Sequence, residues 1–449
     1  MPEAPVPVAF SETRRQIVHI TMVGWALLLR VITWQQTAAL AATALLFNAF
    51  VLPRVGGRAI FRPGEARGVP AGILFYPLAV LLLVVIFRSR LDIVAAAWAI
   101  LALGDGAATI AGRRFGRTPL PWNAGKTWVG TATFMMAGGA AGVFFAWWTQ
   151  PALDRPASAA FVFGAPIVAA IVAALVESMP VRLDDNLSVP FAAGATLWLA
   201  SLADAAAMSA MLPGVTARLL PAVLVNAGFA AVAWLEHAVT PSGAIVGALI
   251  GITIYVGAGW EGFVLLLATF AAAVVSSKIG WERKTALGIA EERSGRRGAG
   301  NALANCGVAA VAAIVAVTSP HQAQAWLAIV ASLTAGAADT VASEIGKVWG
   351  RRTFLVTGFR PVPPGTSGAV SLEGTVANVV AALALAALGA ALGLVAPSTI
   401  PLIVVAALVG AFVESALGAT LEGRGILNNH VLNFITTGVA AGLVLAFWG

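Results

Sequence analysis

A single cysteine, Cys306, stands among 449 residues, with four histidines, two tyrosines and only 10% charged side chains. One thiol excludes an internal disulfide framework and any thiolate metal cluster. His19, His237, His321 and His430 are dispersed without ligand spacing, which argues against a transition-metal site. Charge is scarce because apolar residues fill the chain: 59% are hydrophobic and the mean hydropathy is +0.89. Such a composition cannot clothe a water-soluble surface of ordinary polarity and reads as an integral membrane protein. The first ten residues are neither basic nor followed by a small-residue cleavage site, so no cleavable leader is expected.

Apolar stretches near the bilayer-spanning length of about 17 to 25 residues run at roughly 16–33, 35–53, 69–87, 91–111, 128–149, 158–178, 189–210, 217–235, 241–259, 262–277, 300–318, 323–346, 374–396, 400–418 and 431–448. The sequence therefore predicts an all-α polytopic membrane protein of about fifteen transmembrane helices. With the N-terminus inside, alternate loops collect all of the 27 Lys+Arg except Arg30, Arg88, Arg90, Arg155 and Arg218 on one side. That bias is the signature of a cytoplasmic face. The isoelectric point of about 10.4 then needs no nucleic-acid partner, and the expected location is the inner, cytoplasmic membrane with the N-terminus inside.

Against this apolar background one polar device occurs twice. Asp105, Gly112, Arg113, Phe115, Gly116 and Arg117 recur at constant offset as Asp339, Gly346, Lys347, Trp349, Gly350 and Arg351. Further pieces follow in the same order. Lys126, Gly130 and Thr131 answer to Ser371, Glu373, Gly374 and Thr375; Glu177-Ser178 answers to Glu414-Ser415; Asp184, Asp185 and Asn186 answer to Asn428, Asn429 and His430. Upstream, Ala66-Arg67-Gly68 and Arg297-Gly298-Ala299 precede comparable helices. Two parallel repeats of about seven helices are expected, because an eight-helix shift keeps orientation. The expected domains are 1–212 and 237–449, with a connecting helix at 213–236. The segment 278–300, rich in both signs of charge, is expected as a surface helix or lid.

Acidic residues within apolar helices are costly unless paired, hydrated or metal-bound. Asp105, Glu177, Asp339, Glu344 and Glu414 all qualify, and an interhelical hydrogen bond or ion pair is the alternative for any one of them. Glycines at Gly112 and Gly116, and at Gly346 and Gly350, permit close approach of a helix or of a phosphate. Carboxylates suit a hard cation such as Mg2+ bridging phosphate oxygens, while Arg and Lys neutralise the remaining charge. Those are the components of phosphoryl transfer. Gly125-Lys126-Thr127 mimics the end of a P-loop, but Leu120 stands where that motif needs glycine, so a P-loop nucleotidase is rejected. Arg15 and His19, four apart, share a helix face and serve either a site or a positive-inside anchor. Asp184, Asp185 and Asn186 lie where they could merely cap a helix. Asp204 has no counterpart and is read as structural.

On these residues, roughly 10–210 resembles the membrane prenol kinases, the family of phytol kinase and dolichol kinase, which use CTP. Roughly 237–449 resembles a second membrane family that includes the plant phytyl-phosphate kinase, through Thr240-Pro-Ser242-Gly243, Ser277-Lys278, Arg297, Asn301 and Asn305, Asp339 with Glu344, Glu373-Gly374-Thr375, and Glu414 with Asn428-Asn429. The resemblance implies a bifunctional kinase with CTP as phosphate donor and Mg2+ as cofactor. The first half would phosphorylate an isoprenoid alcohol such as phytol or geranylgeraniol; the second would convert the prenyl monophosphate to the diphosphate. It implies Asp105, Glu177 and Asp185 as Mg2+ ligands in the first half, with Arg113, Arg117 and Lys126 as cationic cradle and Arg15, His19, Gly112, Gly116 and Asn186 as nucleotide contacts. In the second half it implies Asp339, Glu344 and Glu414 as catalytic acids, the first and last holding Mg2+. Lys278, Arg297, Asn301, Asn305, Gly346, Lys347, Gly350, Glu373 and Asn429 are the corresponding contacts. The rival readings are a lipid cytidylyltransferase and, from another class, a membrane transporter.

Overall fold

The computed structural model describes residues 12–54, 71–289 and 296–448. Ala66-Arg67-Gly68 lies outside them, as does the middle of the 278–300 segment. The described helices group into two compact units, Met1–Ser201 and Leu202–Gly449.

In the first unit, α1 (Glu12–Thr21) runs through a 3-10 stretch, Met22–Arg30, to α2 (Trp34–Leu46), whose last turn widens into a π segment, Phe47–Val51. Then come α3 (Ala71–Ile86) and α4 (Leu91–Ala99), the latter continuing through a π segment, Ile100–Asp105, into α5 (Gly106–Phe115). A short antiparallel hairpin, β1 (Pro119–Leu120) with β2 (Asn123–Thr127), leads into α6 (Trp128–Trp148), α7 (Ala159–Glu177) and α8 (Asp185–Ser201). Residues Leu91–Ala102 are wholly buried, most of them alanines or β-branched side chains. Small residues let neighbouring backbones approach, which is how helices pack in a lipid phase where burial of apolar surface gives little preference for protein over lipid. Asp105 emerges where that buried run ends.

The second unit opens with α9 (Ala205–Leu235) and α10 (Pro241–Lys278), followed by the short α11 (Trp281–Ala286). After it come α12 (Ala299–Thr318) and α13 (Gln322–Trp349), then a hairpin of β3 (Thr353–Leu355) with β4 (Ala369–Ser371) in the register Thr353 to Ser371. α14 (Leu372–Ala391), α15 (Ile400–Leu417), a π segment (Gly418–Glu422) and α16 (Asn429–Phe447) complete it. Here α13 is the buried helix, from Leu327 to Ala338, and Asp339 is the first residue beyond. The helix expected as a separate connector belongs to this unit. Arg218 of α9 donates to the Val256 carbonyl of α10 at 3.2 Å, and Asp204 caps α9 while its own N–H bonds the Thr318 carbonyl at 2.8 Å.

Among the described residues ten helices are long and apolar enough to cross a bilayer. The difference from fifteen has physical causes. The first two candidates are divided by 3-10 and π segments; α3 and α8 are 16 and 17 residues long; and the candidates at 241–259 and 262–277 join in α10, 38 residues bent at Gly259. Gly259 has φ 72° and ψ −171°, a conformation only glycine adopts without strain. The bend folds α10 back on itself. Thr240 before its first residue donates to the Arg297 carbonyl at 3.1 Å, and Ser277 near its last accepts from the Arg297 guanidinium at 3.2 Å. α10 is therefore a helical hairpin whose open ends meet at Arg297.

The connection after each aspartate-bearing helix is built the same way in each unit. The Gly116 N–H closes α5 on the Gly112 carbonyl at 2.9 Å, and Thr127 caps α6 by accepting from Gly130 at 3.1 Å. The Gly350 N–H closes α13 on Gly346 at 3.0 Å, and Ser371 caps α14 by accepting from Gly374 at 3.1 Å. These β hairpins were not expected in an all-α chain; they are short and leave the class unchanged.

Close helix contact makes some glycines irreplaceable. A Cβ on Gly257 would stand 2.4 Å from the Ala313 carbonyl oxygen, whereas one on Gly442 meets nothing within 4 Å. Gly257→Ala is expected to destabilise the protein by about 2 kcal/mol, and Gly442→Ala to be neutral or slightly stabilising. Thermal unfolding of each variant in detergent checks the pair; equal midpoints would contradict the packing described.

Candidate functional sites

Asp105, Glu177 and Asp185 reach one point from the π segment after α4, the end of α7 and the start of α8. One carboxylate oxygen from each lies within 4.8 Å of the others. π turns inside helices recur at functional sites because they re-aim a side chain. The cluster lines a cavity of about 690 Å³ shared with Arg15, Gly112, Arg113, Lys126, Arg182 and Asn186. Lys126 reaches in from β2, hydrogen-bonded to Glu177 and 3.2 Å from Asp185. Burial by itself would lower the Lys126 pKa, but the carboxylates of Asp185 and Glu177 outweigh it and hold the ammonium above its ordinary value. The stability this contributes is fully present below the unfolded-state pKa and is lost as pH rises through the elevated folded value. Lys126 therefore stays charged through the neutral and mildly alkaline range.

His19 stands behind the cluster, with Nε2 3.8 Å from Asp105 and its ring against Tyr76 at 4.7 Å. Asp184 caps α8, accepting from the Asn186 N–H at 2.9 Å, which leaves Asp185 turned toward Lys126. Two buried polar atoms of this cavity, Thr131 Oγ1 and Asn186 Oδ1, have no hydrogen-bond partner among the described residues. Unpaired polar atoms in a cavity wall mark where a polar ligand or water belongs. Gly112 lines the cavity, while Gly116 packs against the Gly112 carbonyl and Thr127 and does not. Arg117 is exposed and off the lining, so its expected place in the cradle is corrected; Arg15 and Arg182 stand there with Arg113.

The second unit has a smaller acidic cavity, about 330 Å³, lined by Asp339, Gly346, Lys347, Asn378, Glu414 and Glu422 among others. The Asp339 and Glu414 carboxyl groups lie within hydrogen-bonding reach of one another, and Thr436 donates to Glu414 at 3.4 Å. Asn429 also lines this cavity, at the start of α16. Asn378 is 1% exposed, and neither of its side-chain polar atoms has a hydrogen-bond partner among the described residues. Gly374 faces Gly346 and the Ala342 carbonyl, so α14 runs back along α13 and carries Asn378 to the level of Asp339.

Several expected contacts of this second site lie elsewhere. Glu344 is off the lining, buried in an ion triad with Lys284 and with Lys347 at 2.6 Å. Asp339, Ser343, Gly346 and Lys347 share the face that lines the cavity; Glu344, one position past Ser343, points away from it. Gly350 packs on the Gly346 carbonyl, and Glu373 and Lys278 line neither cavity of this unit. Arg297, Asn301 and Asn305 line a different cavity, inside the α10 hairpin. Asn378, Glu422 and Lys284 were missed by sequence reasoning. An asparagine in an apolar helix, seven residues after the Ser371 cap, is the signal that would have found the first.

A model of the family described as integral membrane protein DUF92 matches residues 224–441. An uncharacterized membrane protein of Synechocystis sp. is 40% identical over 231 residues, covering 50% of this chain and 90% of the relative. Protein VTE6, chloroplastic, of Arabidopsis thaliana is 37% identical over 220 residues, 47% of this chain and 65% of that protein. Phytol kinase 1, chloroplastic, of the same plant is 32% identical over 137 residues, 30% of this chain and 45% of the kinase, so less than half of that enzyme is spanned. No solved structure matches the chain. By its helical build, the matched residues and the 40% identity across nearly all of the Synechocystis protein, the chain belongs to the integral membrane DUF92 family.

Proposed function

We propose that this chain is a bifunctional membrane kinase. Its first unit phosphorylates an isoprenoid alcohol such as phytol or geranylgeraniol, and its second converts the prenyl monophosphate to the diphosphate, with CTP as donor, each site opening to the cytoplasm. The observation that carries the reading is the Asp105, Glu177 and Asp185 cluster in one cavity with Lys126 and three arginines. Likeness to proteins named phytol kinase supports the same class of acceptor.

The donor set fits Mg2+: three carboxylate oxygens already gathered, no sulfur or imidazole among them, an unpaired Thr131 hydroxyl nearby that can donate to phosphate, and an unpaired Asn186 amide oxygen that can accept from water. Held there, Mg2+ would neutralise phosphate charge. In the second unit Asp339 and Glu414, with the Asn378 amide oxygen, would be the corresponding holders. Lys126, Arg15 and Arg113 bind the donor phosphates and orient the terminal one. The acceptor oxygen bonds to the γ-phosphorus as the bond to the β–γ bridging oxygen breaks; the nucleoside diphosphate leaves and the hydroxyl proton passes to the carboxylate cluster. In the second unit the acceptor is a phosphate oxygen, and no hydroxyl proton is involved.

Purified protein in nanodiscs, given CTP, Mg2+ and geranylgeraniol, is expected to yield the monophosphate and then the diphosphate by lipid mass spectrometry. Intact alcohol beside intact CTP would end the proposal. Lys126→Met is expected to cut alcohol phosphorylation by about 100-fold or more. Mn2+ binding, read by electron paramagnetic resonance, should persist in that variant, because the carboxylates lose a competing cation. Unchanged turnover would remove Lys126 from the phosphate cradle. In the unsubstituted protein no break in the pH profile below about pH 10 should come from Lys126.

A further inference from the structure

The acidic cavity of the second unit has two kinds of wall. Asp339, Lys347 and Glu414 make one side polar, whereas Leu408, Ala411 and Phe412 of α15 make another apolar. Its exposed lining residues also fall into two groups. Gly365, Thr366 and Asn429 are exposed beside the β3–β4 hairpin and at the start of α16, where loops and helix ends gather. Phe412 is 44% exposed, and among the described residues it is the one large apolar side chain that both lines this cavity and is exposed. It lies about 9 Å along the helix before Gly418, well inside the apolar length of α15. Val405 and Val409 on the same face of α15, and Val376 and Val380 on the adjoining α14, are exposed as well. An exposed apolar face on a membrane-spanning helix meets acyl chains. The cavity therefore has a polar mouth at the helix ends and an apolar one toward lipid.

We infer that the monophosphate acceptor enters this cavity sideways from the bilayer past Phe412, seats its phosphate at Lys347 and Asn378, and leaves most of its chain among the lipids. The assignment rests on the kinase reading for its substrate class and adds the route and the seat. A cavity of about 330 Å³ is at the small end of those that enclose a drug-sized ligand. It has no room for donor phosphates together with a long isoprenoid, so only the head and the first isoprene unit go in. Asn378 lies about 9 Å into α14 from Leu372, a depth like that of Phe412 in α15. Both of its amide atoms are unpaired among the described residues. Oδ1 suits the metal that Asp339 and Glu414 would hold, and Nδ2 can donate to the acceptor phosphate, so one ligand set satisfies both atoms. The Lys347 ammonium gives one N–H to Glu344 at 2.6 Å and keeps the others for phosphate oxygens. With the nucleotide entering by the polar mouth, donor and acceptor phosphates meet in a single cavity with no helix between them.

Full-length protein in nanodiscs, with Mg2+ and no nucleotide, is to be photolabelled with geranylgeranyl monophosphate carrying a diazirine in the isoprene unit next to the phosphate, and the label mapped by mass spectrometry. Within the second unit, label is expected on α15 around Phe412 and on the adjoining part of α14, displaced by unlabelled geranylgeranyl monophosphate and not by excess phosphatidylglycerol. In a Cys306→Ala background, Phe412→Cys is to be modified with benzyl methanethiosulfonate. This plug should cut labelling about tenfold and raise KM for the acceptor about tenfold, and reduction should restore both, which a folding defect would not allow. Because the distal chain stays in lipid, farnesyl and geranylgeranyl monophosphate at equal mole fraction should differ in KM by less than about threefold; a closed pocket would separate them by about tenfold or more. Label elsewhere in the second unit, label displaced equally by phosphatidylglycerol, or labelling unchanged by the plug overturns the assignment even if turnover is normal. Label at Phe412 that the plug blocks, in a protein that turns over no prenyl phosphate, supports the route and overturns the kinase reading.

Discussion

Asp105→Asn is expected to lower phosphorylation of the isoprenoid alcohol by about 1000-fold or more, while a supplied prenyl monophosphate is still converted to the diphosphate. The substitution keeps side-chain volume and removes one charge from the three-carboxylate cluster. On the kinase reading, Mg2+ would then lose an anionic ligand that an amide replaces poorly. Folding should survive, because a neutral amide costs less to bury beside His19 and Tyr76 than a carboxylate does. Lipid product analysis with alcohol and with monophosphate, run separately, checks both halves of the expectation. Loss of both reactions together would mean that the units do not act as separate sites.

Asp339→Asn should give the complementary result: monophosphate accumulates at the unsubstituted rate and diphosphate formation falls by about 1000-fold. Asp339 and Glu414 share one hydrogen bond, and Asn378 stands beside them with both polar atoms unpaired among the described residues. Asparagine at position 339 can donate a hydrogen bond to Glu414 but cannot supply the second carboxylate that a bound Mg2+ would need. If diphosphate still forms normally, the acidic pair is a helix-packing contact and the chemistry of the second unit lies elsewhere.

Most helix positions were legible in the sequence because apolar length is a direct consequence of bilayer thickness. Even the division of residues 241–277 into two candidates matches the two arms of α10, since Gly257, Gly259 and Gly262 interrupt the apolar run where the chain turns. Asp105 and Glu177 were legible as acids that apolar helices tolerate only with partners, whereas Asp185 read as a possible helix cap and entered the site only through the resemblance. What linear order could not supply is which face of a helix meets which neighbour. Asn301 and Asn305 share one face of α12, with Arg297 just before its first turn, while Gly300 on another face packs against His430 of α16. The pattern fixes the shared face; only packing decides that it looks into the α10 hairpin rather than toward Asp339. Glu344 was misread for the same reason. Its partner Lys284 comes from α11, a segment whose placement against α13 no periodicity reveals.

CTP labelled separately at the α and γ phosphates, given to the purified full chain with Mg2+ and geranylgeraniol, tests the central claim most directly. The account predicts γ label in the lipid products, two labelled phosphates in the diphosphate, and no α label. Transfer of α label to lipid would contradict it and identify a cytidylyltransferase, and movement of the lipid across a proteoliposome membrane with CTP left intact would contradict it in favour of a transporter.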